Sequence, residues 1–321
     1  MANIIDRNSL SGLIPEEVSR EILQGAVAES AVLKMARRLP NMSSKTLAIN
    51  VLDALPTAYF VNAEASGTSA SEDTFKQTTK MAWDKKKIYA EEIAVIVPIP
   101  EAVLDDANYD IWGEVRPRLV EAFGKKIDAA VLFGVDKPTT WREGIVASAT
   151  TAGNTVAATA DVYDDIMGED GLIAKVEEDG YIPNGVMGAV KLRAKLRSVR
   201  DDNGGLIFKT DMQGATRYAL DGMDTYFPNN GAFDPSKALA IVGDFDQLVY
   251  AIRQDIEFKI FTEGVIQNPS TGAIEYNLMQ NDMVALRAVM RLGWEVANPV
   301  NAFNAGDDTA FPFAVYTPAG G

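Results

Sequence analysis

Apolar positions in this chain return with two different periods. Ile111, Val115, Leu119, Phe123, Ile127 and Val131 recur every four residues, with Trp112, Val120 and Ala130 widening the stripe. That spacing predicts a helix over Ile111 to Phe133, about 35 Å long at about 1.5 Å per residue. Gly134 is its left-handed cap candidate, and Pro117 either kinks it or marks its true first turn. Upstream, Ile22, Val27, Val32, Leu33 and Ala36 supply a looser helical stripe over Glu16 to Arg38, with Pro15 before it and Pro40 closing it. No second helix follows at once, so this segment completes no bundle with its sequence neighbour and reads as an arm that packs elsewhere.

A period of two governs the stretch between. Thr46 to Asn50 and Val51 to Pro56 favour a strand, and a longer β pattern runs from Thr74 through Pro98. Between them Ala63 to Asp73 is a small polar tract that turns but cannot pack a core. The two patterns predict an extended hairpin. On its return strand Phe75, Gln77, Thr79, Met81 and Trp83 share one face, and Lys76, Thr78, Lys80 and Ala82 the other. A two-stranded ribbon is marginal in water, so the face bearing Phe75, Met81 and Trp83 is expected to rest on a neighbouring surface, such as another subunit. Lys85, Lys86 and Lys87 guard the strand against pairing with strangers.

Beyond Gly134 the stretch to Thr155 reads as a loop-rich linker, with Ala147 to Ala160 almost entirely small residues, and it marks the expected domain boundary. The remainder predicts a helix over Val162 to Glu178, a short strand at Gly185 to Met187, a helix from about Lys191 to Val199 and a strand near Leu239 to Val242. A long central helix flanked by sheet is the skeleton of an α+β fold.

Composition narrows the chemistry. Among 321 residues there is no His and no Cys, which excludes disulfides, thiolate zinc sites, Cys nucleophiles and every His-based triad. The 30 basic and 45 acidic residues give a net charge of -15, unsuited to nucleic-acid recognition as the main task. Residues 151–321 hold 13 basic and 24 acidic groups, so most of that charge lies there. The longest apolar run, Ile93 to Pro100, spans no membrane. Catalysis would fall to carboxylates, Lys, Tyr, Ser or Thr, as in a glycosidase using two carboxylates. The adjacent pairs Glu91–Glu92, Asp105–Asp106, Asp164–Asp165 and Asp201–Asp202 do not face one another, and solvated faces, caps and turns explain them. Asp201-Asp202-Asn203-Gly204 fails as a calcium loop at Gly205 and Leu206. Asp244 and Asp246 fit a helix cap better than a metal site. Lys191, Arg193, Lys195, Arg197 and Arg200 read as the outer surface of a helix whose buried stripe is Leu192, Leu196 and Val199. No catalytic residue, cofactor or metal is expected.

The order of parts (arm helix, long hairpin, central helix, Gly-capped linker, acidic mixed region) carries a resemblance. Its local carriers are Phe60-Val61-Asn62-Ala63-Glu64, Val97-Pro98-Ile99-Pro100-Glu101 with Leu104-Asp105-Asp106, and Ile127-Asp128-Ala129-Ala130-Val131-Leu132-Phe133-Gly134 with Gly144-Ile145. Gly243-Asp244-Phe245 and the stretch from Asp282-Met283-Val284-Ala285-Leu286-Arg287 through Arg291 to Asn298-Pro299-Val300-Asn301-Ala302-Phe303 are the most distinctive. The chain resembles the major capsid proteins of tailed bacteriophages, the Hong Kong 97 fold. The resemblance implies an N-terminal arm (1–45), an extended hairpin loop (46–98), a peripheral domain with the long spine helix (99–150 and 256–300) and an axial domain (151–255 and 301–321). It implies hexamers and pentamers of one chain in an icosahedral shell around double-stranded DNA contacted non-specifically, assembled in the host bacterial cytoplasm with a portal, a decoration protein in some relatives, and no membrane.

Ile22, Val27, Leu33, Phe60, Phe75, Met81 and Trp83 are then the interface candidates. The arm begins near residue 14, so scaffolding is expected to be a separate protein. Some relatives crosslink a hairpin Lys to an Asn with help from a carboxylate; Lys76 or Lys80 with Asn298 or Asn301 and Glu295 are the candidates here, with structural roles preferred. The alternative within the fold is an encapsulin-like compartment that packages an enzyme.

Overall fold

The computed structural model describes residues 30–56, 58, 78–106, 111–199, 219–301, 303 and 310–319. In chain order it contains α1 (Ala31–Met35), β1 (Arg37–Arg38), β2 (Thr46–Ala54), β3 (Ala82–Tyr89), β4 (Glu91–Pro100), α2 (Glu101–Asp106) and α3 (Ile111–Phe133). There follow α4 (Ile145–Ala152), β5 (Thr155–Ala157), α5 (Val162–Met167), α6 (Leu172–Glu178), β6 (Gly185–Gly188), α7 (Val190–Ser198), β7 (Ala219–Leu220), β8 (Met223–Tyr226) and β9 (Ala240–Gly243). A short 3-10 turn, Phe245–Gln247, leads into β10 (Leu248–Phe261), β11 (Val265–Gln267), β12 (Ile274–Asn277), β13 (Met283–Val296) and β14 (Phe313–Thr317).

Helix α3 has the predicted bounds. Phe123, Ile127 and Val131 are buried, and Gly134 takes φ +66° and donates its N–H to the Ala130 carbonyl, ending the helix as a left-handed cap. Pro117 lies inside it. The helix packs with α1 and α4 against a four-stranded sheet ordered β1-β10-β13-β4, forming the main core. In β13 every even-numbered position from Val284 to Val296 is buried, the period of two expected where one face meets a helix. A six-stranded sheet ordered β5-β14-β9-β6-β8-β7 forms a second core with α5, α6 and α7 around Ile166, Leu172, Leu192, Val242 and Tyr316. A small third cluster of Met42, Ile88, Ala90, Val249 and Ala251 seats the root of the β2–β3 ribbon.

Several expectations are revised. The arm is not a helix through Arg38: α1 stops at Met35, and Arg37–Arg38 pair with β10 as a parallel strand. Leu33 is not an interface residue, because Ala31, Val32 and Leu33 are buried in the chain's own core; their stripe had an intrachain partner far away in sequence. The β pattern to Pro98 divides at Ala90, with β3 in the ribbon and β4 in the four-stranded sheet. The linker contains α4, whose Ile145 and Ala149 are fully buried, because small residues allow a helix to approach closely. The helix over Val162 to Glu178 breaks into α5 and α6 between Met167 and Leu172, where Gly168 and Gly171 leave no room for a Cβ against neighbouring backbone. Asp165 is buried rather than solvated.

Candidate assembly surfaces

Asp128 joins three parts of the subunit. It sits on the buried side of α3 and accepts from Ser30 Oγ at 2.6 Å, Ala31 N at 2.9 Å, Val32 N at 3.1 Å and Asn230 Nδ2 at 2.6 Å. Ser30 in turn caps α1 by accepting from Leu33 N. One carboxylate thus fastens the start of the described arm to the spine helix and to the segment before β9. Burial raises its pKa above the usual carboxylate value, and the four donors pull back against that rise. Its sequence signal was an Asp amid an apolar helical run, and the solvated-face explanation of acidic residues passed over it.

The ribbon has two unlike faces. Leu47, Ile49 and Val51 of β2, with Ile88 of β3, turn toward the subunit's own sheet. Trp83, Lys85 and Lys87 occupy the opposite side of β3 and are exposed, Trp83 by 63%. Met81, just before β3, is 44% exposed. Gly293 of β13 holds the root close: a Cβ there would run into the Tyr89 carbonyl and Ile88. Ile22, Val27, Phe60, Phe75 and Lys76 lie outside the described residues.

A second projection extends from the far end of β10 and β13. Strands β11 and β12 pair only with each other among the described residues. Val265, Ile274 and Tyr276 on it, and Met279 just after it, are exposed. A short ribbon displaying such groups gains stability by meeting another surface.

The crosslink candidates are placed unevenly. Asn298 accepts from Tyr181 Oη at 2.6 Å and donates Nδ2 to the Ala310 carbonyl, and Asn301 Nδ2 donates to the carbonyls of Asp179 and Gly180. Burial and the nearby charges of Asp179 and Asp244 push Tyr181 up to about 12. Glu295 pairs with Arg142 at 2.9 Å. Lys80 is exposed. Both asparagine amides are therefore engaged, Asn298 with Ala310 ahead of β14 and Asn301 with the backbone that follows α6.

Asp244 does cap a helical turn, accepting from Asp246 N, and burial raises its pKa. Asp165 accepts from Thr159 N and Oγ1 and from Tyr316 Oη. Burial opposes its charge, yet these donors hold its pKa below the usual value. Among the described residues no three acidic groups are arranged to hold a metal ion, and no helix is long and apolar enough to cross a membrane.

Known proteins share this arrangement. The model of the family described as "Phage capsid family" matches residues 11–308. The major capsid protein of Staphylococcus phage 80alpha is 25% identical over 300 residues, covering 92% of this chain and 85% of that protein. A solved chain from Microbacterium phage Oxtober96 superposes with a TM-score of 0.76 at 37% identity, covering 90% of this chain and 91% of that one. One from Mycobacterium phage Adephagia gives 0.75 at 33% identity, covering 90% of each. The capsid of an empty GTA particle shares the fold, with a TM-score of 0.59 at 19% identity and coverage of 91% and 90%.

Proposed function

Because the chain belongs to the phage capsid family, it is a structural subunit of a virion shell, and we propose that its two exposed ribbons and its arm are the parts with which each copy grips its neighbours. The observation that carries this reading is the unlike pair of faces on the β2–β3 ribbon: one face is seated on the subunit, while the other displays Met81 and Trp83 to solvent. In a closed symmetric assembly such a surface is covered by the next copy.

On this reading copies form hexamers and pentamers of an icosahedral shell around double-stranded DNA, assembled in the bacterial cytoplasm with a portal. The net charge of -15 suits a container that holds a polyanion without adhering to it. The functional division is an arm, a hairpin loop, a peripheral domain built on α3 with β10 and β13, and an axial domain built on the six-stranded sheet. Asn298, Asn301 and Glu295 then act structurally, and no covalent crosslink through them is expected.

Electron microscopy of the purified protein tests the assembly: closed shells are expected, and a monodisperse monomer at high concentration would overturn the reading. Denaturing electrophoresis of those shells tests the chemistry. A single band near 34.7 kDa is expected, whereas a ladder that disappears in Lys80→Ala particles would make that lysine a reacting group.

A further inference from the structure

The sequence contains three Asn-Gly pairs, Asn184-Gly185, Asn203-Gly204 and Asn230-Gly231. In such a pair the glycine backbone nitrogen can attack the asparagine Cγ, because no Cβ on the glycine screens it. Asn203 and Gly204 lie outside the described residues. The other two pairs are built alike on the asparagine side. Asn184 Nδ2 donates to Asp244 Oδ1 at 2.9 Å, and its Oδ1 accepts from Phe245 N at 2.9 Å. Asn230 Nδ2 donates to Asp128 Oδ2 at 2.6 Å, and its Oδ1 accepts from Ala232 N at 3.1 Å.

The glycines differ. Gly185 is buried in β6 and paired on both sides, with Gly243 of β9 and Asp224 of β8, so its nitrogen is fixed in the sheet. Gly231 is exposed, with φ +71°, in the loop between β8 and β9. Among the described residues only the end of the Lys125 side chain comes near the place a Cβ would take there.

We propose that Asn230 is a self-modifying site: Gly231 N attacks its Cγ, Asp128 protonates the nitrogen that leaves, and the side chain becomes aspartate or isoaspartate. The bond formed joins Gly231 N to Asn230 Cγ, and the bond broken is Cγ–Nδ2. The Gly231 amide proton passes to water. Asp128 gives its own proton to the departing nitrogen, which leaves as ammonia, and solvent reprotonates Asp128. Water then opens the cyclic imide at either carbonyl.

The surroundings suit each part of this step. Ala232 N–H already sits on the oxygen that turns negative in the tetrahedral intermediate. Asp128 touches the leaving nitrogen, and its burial favours the protonated form that acts as an acid. Ser30 and the amides of Ala31 and Val32 fix that carboxyl in place. Placement of this kind makes the folded chain react faster than the unfolded one, whereas an asparagine whose glycine is locked in a sheet reacts more slowly when folded.

Conversion has a structural consequence. It replaces the Nδ2 donor by an oxygen set against a buried carboxyl, and two carboxylates so close cannot both ionise. The segment before β9 then loses its tie to α3 and to the start of the described arm.

Peptide mapping by mass spectrometry, on freshly made chain incubated in heavy-oxygen water, reads the reaction at each asparagine in native and guanidinium-unfolded samples. Conversion at Asn230, with heavy oxygen in the product, is expected to run about tenfold faster in the native protein, a modest part of the roughly 100-fold or more that a positioned proton donor gives. Asn184 is expected to react more slowly in the native protein than in the unfolded chain. Asp128→Asn should bring the native rate at Asn230 down to that of the unfolded chain. A native rate at Asn230 equal to or below the unfolded rate, or one unchanged by Asp128→Asn, would overturn the proposal. Should that variant fail to fold, the comparison within the unmodified chain decides alone.

Discussion

Replacing Asp128→Ala should cost the isolated subunit about 3–5 kcal/mol, the difference between the hydrogen bonds its carboxylate accepts and the cost of burying that charge. The carboxylate accepts four hydrogen bonds, from Ser30, Ala31, Val32 and Asn230. Bonds to a charged group are worth about 1.5–3 kcal/mol each, so the gross loss is roughly 6–12 kcal/mol. Deleting the carboxylate also removes its desolvation cost, which is several kcal/mol and works the other way. Asp128→Asn retains one acceptor oxygen but aims an amide N–H₂ at other donors, and should lose less.

Urea unfolding of dissociated subunits reads the total, and hydrogen exchange reads its location: the amides of Ala31 and Val32 should lose protection before the middle of α3 does. The acid side supplies a sign test. Because burial raises the folded-state pKa of Asp128, its contribution to stability is greatest below the usual carboxylate range and declines as pH rises through that raised value. An Asp128→Ala protein with an unchanged urea midpoint and unchanged protection at Ala31 would refute the view that this side chain holds the arm.

Gly293→Ala should destabilise the subunit by about 1–3 kcal/mol through overpacking against Tyr89 and Ile88, visible as a lower melting temperature and, if the ribbon root shifts, as fewer particles. Asp165 should behave oppositely to Asp128: its pKa is held low, so its stabilisation is present above the ordinary carboxylate range and fades as pH falls through the folded pKa. The stability gap between wild type and Asp165→Asn, followed by urea titration at several pH values, should therefore narrow in acid. Removing residues 2–29 should leave a folded subunit with impaired assembly, whereas removing 2–44 should also lower stability, because it takes Val32, Leu33 and Met42 out of buried clusters; circular dichroism and microscopy of both truncations separate the two effects.

The spine helix was legible because its apolar residues repeat every four positions and a glycine follows at once. The pairing of β2 with β3 was legible from their period of two. Much of what places the candidate surfaces was not. Strands β10 and β13 are the longest among the described residues, yet their alternation was passed over as strand signal, even though Val284, Leu286, Ala288, Met290, Leu292, Trp294 and Val296 alternate along β13. The arm misled for a different reason: pattern shows that a stripe will be covered, and only the fold says by what. Asp128 and Ser30 are 98 positions apart, and no local rule joins them. The exposed Trp83 face was identified from spacing alone.

The long strands also determine how the subunit bears load. Together β10 and β13, 14 residues each, form a beam of about 45 Å at roughly 3.3 Å per residue, with the hairpin root at one end and the β11–β12 tip at the other. A pull on the tip along the beam acts across the ten paired positions that join β13 to β4, whose hydrogen bonds lie perpendicular to the strands. Such bonds share the tension and yield together, not one after another. Bending is another matter: the register shifts between Ile252 and Glu257 interrupt the ladder between the two strands, so a shell that swells as it fills would flex each beam at that point and leave both ends stiff.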